Sequence, residues 1–318
     1  MKHSVKITAI LISMFIITQL IGLGVIWLYT PVQQQVVING TIQNITTNPL
    51  PYGMEPPQIS QDFSLISIVF AFVLAILLVF FLTRLKAAKI IKWWFFIVVV
   101  LVLGVTFNAA LMHLIPNYSV YNIMSLSELV ALLVAIPFAI FKIFKRNFLI
   151  HNLTELFVYP GIAVVFIPIL NVLTIIILLV IISIYDMWAV WHSGFMQKMA
   201  KYQINTLKIF AGFFIPYANK KQRQAIKEAR LNPKDKKAGK NIKVNIAILG
   251  GGDVVFPIIT AGVIFRSLGL IPALIVTLFA TLALLALFIF ARKGKFYPAM
   301  PFLTAGLLIG IGVAYLIF

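Results

Sequence analysis

Two aspartates stand inside strongly apolar runs: Asp186 in Ile181-Ile182-Ser183-Ile184-Tyr185-Asp186, and Asp253 in Leu249-Gly250-Gly251-Gly252-Asp253-Val254. A carboxylate in hydrocarbon is expensive, so an acid at membrane depth marks a functional site by default. The chain has only eight acidic residues in all, and these two flank one long basic loop. Held face to face in a low-dielectric site, two carboxylates cannot both ionise easily, and one keeps a proton. The ionised member can then take a proton from water while the protonated member hydrogen-bonds a carbonyl, the acid/base pairing that hydrolyses peptides. The neighbours suit that work. Tyr185 offers a hydroxyl beside Asp186. Gly250, Gly251 and Gly252 strip side chains from the approach to Asp253 and let another backbone come close. Gly250 and Pro257 share a helical face with Asp253. Irregular backbone of this kind is tolerated at membrane depth only where it is buried in protein or lines a cavity.

The elements that must position these groups are membrane helices. The chain has 318 residues, 62% hydrophobic and 11% charged, with a mean hydropathy of +1.04; a soluble domain averages about 25% charged residues. The fold class expected is an all-α polytopic membrane protein, a single integral membrane domain over residues 1–318. Nine apolar runs are long enough to span, at roughly 7–29, 64–83, 93–112, 124–141, 149–167, 169–191, 245–265, 271–290 and 298–317. Pro160, Pro168 and Asn171 break the chain between the fifth and sixth, with Pro168 the expected turn. The first run is too long for a signal-peptide core and lacks a small-residue cleavage site after it, so it reads as a retained helix. There is no cysteine, and the four histidines (His3, His113, His151, His192) show no paired-ligand spacing. Neither a metal nor a cofactor is expected.

With nine alternating spans, every lysine and arginine except Arg266 falls on one face of the membrane. The positive-inside rule makes that face cytoplasmic, with an inner N-terminus and an outer C-terminus. The net charge of +18 is therefore topogenic, and no nucleic-acid partner is expected. Residues 30–62 and the sequons at Asn39, Asn44 and Asn117 fall outside. The inner loop 192–243 holds an aromatic stretch, Ile209–Ile215, expected to lie on the membrane surface, followed by a solvated linker from Lys220 to Lys243. Glu128 and Glu155 are expected at membrane interfaces and Arg266 as an outer anchor. Gly306 and Gly310 form a GxxxG packing motif.

In this layout the two acids lie at matched depth. Asp186 stands about five residues before the inner end of its span and Asp253 about eight residues after the start of its own, each roughly one-third of the way in. Burial alone leaves two readings open, a hydrolytic pair and an ion site in a proton- or cation-coupled transporter. Three motifs separate them. Tyr185-Asp186 in the sixth span, Gly250-Gly251-Gly252-Asp253 in the seventh and Pro298-Ala299-Met300-Pro301 opening the ninth resemble the presenilin and signal peptide peptidase family of intramembrane aspartyl proteases, compact microbial members in particular. The resemblance covers the order of the motifs and the nine-span layout. It implies that Asp186 and Asp253 form the catalytic pair, with Tyr185, the three glycines and Pro298–Pro301 as active-site support or substrate contacts. Met300 stands where the family usually has leucine, a change that conserves volume and polarity. The basic loop between the acids implies the presenilin-like orientation of the two known in the family. The partners implied are transmembrane helical substrates and the lipid bilayer. No feature of the sequence specifies an oligomeric state or an accessory subunit. The proline element is expected to be extended beside the acids and to offer carbonyls to an unwound substrate.

Overall fold

The computed structural model describes residues 5–30, 32–38, 41–47, 50–54, scattered helical positions between 66 and 81, then 88–115, 119–120, 124–145, 147–192, 211–217, 245–291 and 297–318. The chain runs α1 (Val5–Leu28), β1 (Val32–Ile38), β2 (Thr41–Thr47), α2 (Ala88–Leu111), β3 (Ser119–Val120), β4 (Met124–Ser125), α3 (Leu126–Phe144), α4 (Phe148–Phe166), α5 (Val172–Trp191), β5 (Gly212–Tyr217), β6 (Asn245–Gly250), α6 (Gly251–Leu268), α7 (Leu270–Phe290) and α8 (Met300–Ile317). All eight helices are long and apolar enough to cross a membrane.

Eight such helices among the described residues is one fewer than the nine expected. The difference falls on the run at 64–83, most of which lies outside the described residues. So do the Lys220–Lys243 linker and the sequons at Asn39 and Asn117. The fold is mostly helical rather than wholly so, since three antiparallel strand pairs join β1 to β2, β3 to β4 and β5 to β6.

Local chemistry sets the helix ends. Ser125 caps α3 in a capping box with Glu128, which also accepts from the backbone N–H of Tyr52 at 3.3 Å. Glu128, expected at an interface, thus serves two orphan amides. Asn147 caps α4, and Asn171 caps α5 through the N–H of Thr174. Between α4 and α5 the chain makes a single 3-10 turn at Ile167–Ile169, at the expected Pro168. Gly269, at φ 97°, turns α6 directly into α7, a conformation that favours glycine. Arg266 is exposed on the last turn of α6 and donates to the carbonyl of Ile167 at 3.4 Å.

Lipid supplies no hydrophobic drive between helices, so close packing must. At Gly306 an added Cβ would fall 2.8 Å from the carbonyl oxygen of Phe279, and at Gly310 3.0 Å from Cα of Val276. The GxxxG of α8 is therefore a seam against α7. The main core gathers residues from α1, α4, α5, α6, α7, α8 and the β5–β6 pair. A smaller one joins Val99 and Leu103 of α2, Ala135 and Ala139 of α3, and Val158 of α4.

Two expectations around the site need correction. The seventh span was expected from 245, but residues 245–250 are strand, and the helix starts at Gly251. Ile246 and Ile248 are exposed while Ala247 and Leu249 are buried, the two-residue period of a sheet face. The aromatic stretch expected on the membrane surface instead contributes Gly212–Ile215 to β5, and Phe213 is fully buried. The register runs from Gly212↔Gly250 to Tyr217↔Asn245.

Candidate active site

Three helix ends meet where the two acids stand. Asp186 lies in the last two turns of α5 and is buried, at 5% exposure. Asp253 is the third residue of α6 and is half-buried. The strand that precedes α6 shortens the helical path to Asp253 from the eight residues expected to the first turn. Asp253 lies within electrostatic reach of Asp186. α5 packs against both α6 and α8.

The third end is that of α8. The N–H of Met300 donates to Oδ2 of Asp186 at 3.1 Å. The first amides of a helix have no partner inside it, so one orphan donor of α8 is satisfied by the acid. One turn deeper, the hydroxyls of Ser183 and Thr304 lie 2.7 Å apart and bind α5 to α8 again. The proline element differs from expectation. Pro298 precedes the helix; Ala299 is the N-cap with helical φ and ψ, and Met300 and Pro301 lie in the first turn. Proline suits that turn because the N–H it lacks would be an orphan anyway. The element contributes an N–H to Asp186, not a row of carbonyls.

The glycines divide by what surrounds them. A Cβ on Gly250 would meet Oδ2 of Asp253 at 3.1 Å, and one on Gly251 would meet the hydroxyl of Tyr159 at 3.0 Å. Gly252 is exposed, and its Cβ would find only the ring of Phe256 at 3.8 Å. Two glycines permit close packing, and the third leaves open space beside Asp253. Tyr185 is half-buried and packs on Trp188, ring centroids 6.3 Å apart.

Sequence reasoning missed several residues here. Gln19 of α1, buried in the core, donates to the carbonyl of Val254 at 3.0 Å, next to Asp253. Glu155, expected at an interface, is 1% exposed and ion-pairs with Lys142 of α3. It stands on one face of α4 with His151, Asn152 and Tyr159. The readable signal was polar residues at helical spacing within an apolar span, each of which needs a partner. Among the described residues no group of three or more His, Cys, Asp or Glu could hold a metal ion.

Comparison with known proteins gives this geometry a family. A search of curated proteins finds no match. Two solved structures are similar in fold. A presenilin family intramembrane aspartate protease in a C222 crystal matches at a TM-score of 0.60 and 17% identity, over 98% of this chain and 99% of that one. A presenilin family intramembrane aspartate protease in a P2 crystal matches at 0.58 and 17%, over 97% of both. The family model described as signal-peptide peptidase, presenilin aspartyl protease matches residues 12–318. The chain therefore belongs to the signal peptide peptidase and presenilin family, and it is an integral, multi-pass intramembrane aspartyl endopeptidase.

Proposed function

We propose that Asp186 and Asp253 are the catalytic pair of this protease, and that the chain acts as one membrane domain on transmembrane helical substrates. The observation that carries the reading is the meeting of the last turns of α5 with the first turns of α6 and α8 where Asp186 and Asp253 stand. Hydrolysis follows from a shared proton. The ionised carboxylate takes a proton from water, and the resulting hydroxide adds to the peptide carbon. The protonated partner meanwhile gives its proton to the carbonyl oxygen. On collapse the C–N bond breaks, the leaving nitrogen takes the first proton, and the second returns to its carboxylate. The titration belongs to the pair, not to either residue. Nothing in the comparisons favours the transporter alternative.

A substrate helix hides its carbonyls in its own hydrogen bonds and must unwind before attack. The freed groups need new partners. β5 covers one edge of β6, and among the described residues no strand covers the other. An extended substrate can add there by strand pairing, which leads its backbone toward the open space at Gly252. Pro298–Pro301 supports the site through the Met300 amide, and Tyr185 lines it. We place the basic loops in the cytoplasm, with the N-terminus inside and the C-terminus outside.

The test is Asp186→Asn and Asp253→Asn in purified full-length protein, with a single-span test substrate. Each should abolish cleavage while the protein stays folded. The effects should not add in the double variant, because water activation needs both groups at once. Substantial residual turnover in either single variant would remove the pair.

A further inference from the structure

One face of α4 carries His151, Asn152, Glu155 and Tyr159, all buried. Polar groups buried at this depth require partners, and most of theirs belong to a single strand. The carboxylate of Glu155 accepts from the N–H of Gly212 at 3.2 Å, and Nε2 of His151 lies 2.9 Å from the carbonyl oxygen of Gly212. Asn152 donates to the carbonyl of Phe214 at 2.9 Å and accepts from its N–H at 3.1 Å. Both backbone groups of two residues in β5 are thus matched by side chains. Residues two apart in a strand turn these groups to the same side, so α4 stands where a third strand would. Lys142 of α3 ion-pairs with Glu155 and compensates its charge.

The strand held in this way is coupled to the acid. Gly212 is paired with Gly250, and the N–H of Gly251 donates to the carbonyl of Ala211 at 3.3 Å. One turn further along α4, Tyr159 lies against Gly251, within electrostatic reach of Glu155 and Asp253.

We propose that this face of α4 is a positioning device for the acid pair. Glu155, His151 and Asn152, with Lys142 balancing the charge, hold β5; β5 holds β6; and β6 fixes the turn Gly250–Asp253 against Asp186. The inference rests on the reading of Asp186 and Asp253 as the catalytic pair. None of the four touches a reacting atom; they act through the backbone.

The experiment uses the full chain in lipid vesicles with the single-span substrate, and measures kcat, KM and the melting temperature. Asn152→Leu removes both bonds to Phe214. Glu155→Gln keeps an acceptor for Gly212 but leaves Lys142 uncompensated, and Lys142→Met/Glu155→Gln restores the balance. The expected result is a fall in kcat of ten-fold or more for Asn152→Leu and Glu155→Gln in folded protein, with KM within three-fold. The double variant should recover most of the loss of Glu155→Gln. A face that serves the fold alone would lower the yield or melting temperature and leave the kcat of the folded fraction within two-fold. That result, or a double variant no better than Glu155→Gln, overturns the proposal. If Asn152→Leu does not fold, Asn152→Ser is judged by the same criterion. Because Asp186→Asn and Asp253→Asn test the pair separately, a functional pair with wild-type kcat in the α4 variants would overturn this inference alone.

Discussion

The three glycines before Asp253 make a quantitative contrast. Gly251 and Gly252 both lie in the first turn of α6, so replacing either by alanine gains the same helix propensity, up to about 1 kcal/mol. Their surroundings differ. At Gly252 the new methyl meets only Phe256, at the ordinary contact distances of 3.8 and 3.9 Å. At Gly251 it falls 3.0 Å from the hydroxyl and 3.1 Å from Cε1 of Tyr159. Tyr159 cannot swing aside, since it is 2% exposed and packs edge-on to the fully buried ring of Phe213. Forcing a methyl into such a site costs about 1–3 kcal/mol. The shared propensity gain cancels, so Gly251→Ala should be less stable than Gly252→Ala by about 1–3 kcal/mol. Thermal melting of the purified protein in detergent gives the order. Kinetics should separate the two in another way. The methyl of Gly252→Ala projects into the space proposed above for a substrate backbone and should raise KM in a protein as stable as wild type or more so. Tyr159→Phe should recover only part of the Gly251→Ala loss, because it removes the hydroxyl and leaves Cε1. A Gly251→Ala protein as stable as Gly252→Ala would refute the packing argument.

Three further outcomes are expected. A pair sharing one proton gives a bell-shaped rate profile, falling on the acid side as the base takes a proton and on the alkaline side as the acid loses its own; a rate that stays level at high pH would exclude the shared proton. Ser183→Ala should lower stability by about 1 kcal/mol through the lost bond to Thr304, while Ser183→Ala/Thr304→Val should cost less than the sum of the single variants, because the bond they share is lost in either one and only once in the pair; strict additivity in a double-mutant cycle would show that the two do not interact. Because the chain has no cysteine, cysteines introduced at Thr46 and Tyr118 should react with an impermeant reagent from outside, and one at Lys236 only after the inner face is opened; the reverse pattern would invert the assigned orientation.

The acids and the spans around them were legible because lipid enforces a simple rule: long apolar runs cross, and a charge within one needs a reason. Asp186 and Asp253 stood out on that ground alone, and Pro168 marked the break between α4 and α5. Residues 245–250 were not legible. Ile246-Ala247-Ile248-Leu249 is a short apolar run that suits a buried helix as well as a strand. Its partner, β5, lies beyond a long basic connection and was itself disguised as a surface-seeking aromatic stretch. Glu155 was misjudged for a related reason. A single glutamate near the end of a span ordinarily snorkels to water, and the groups that hold it inward, Lys142 and the Gly212 amide, are distant in sequence. The proline element was placed correctly beside Asp186 but given the wrong backbone, since helix-starting proline and extended proline look alike until the φ and ψ of Ala299 are known.

The junction of β6 with α6 governs where the gene can tolerate insertions and deletions. A residue added within β6 would slip its pairing with β5 by one, turning Ala247 and Leu249 out and Ile246 and Ile248 in. A residue added between Gly250 and Asp253 would rotate the carboxylate by about 100° around the helix axis, away from Asp186. Neither change leaves an intermediate that still works, so length variation here is closed to gradual evolution. The segment from 218 to 244 faces no such arithmetic, because a change in its length leaves the register of β5 with β6 untouched. Homologous chains should therefore diverge freely in length between the two strands and remain invariant in length from the first residue of β6 to the acid.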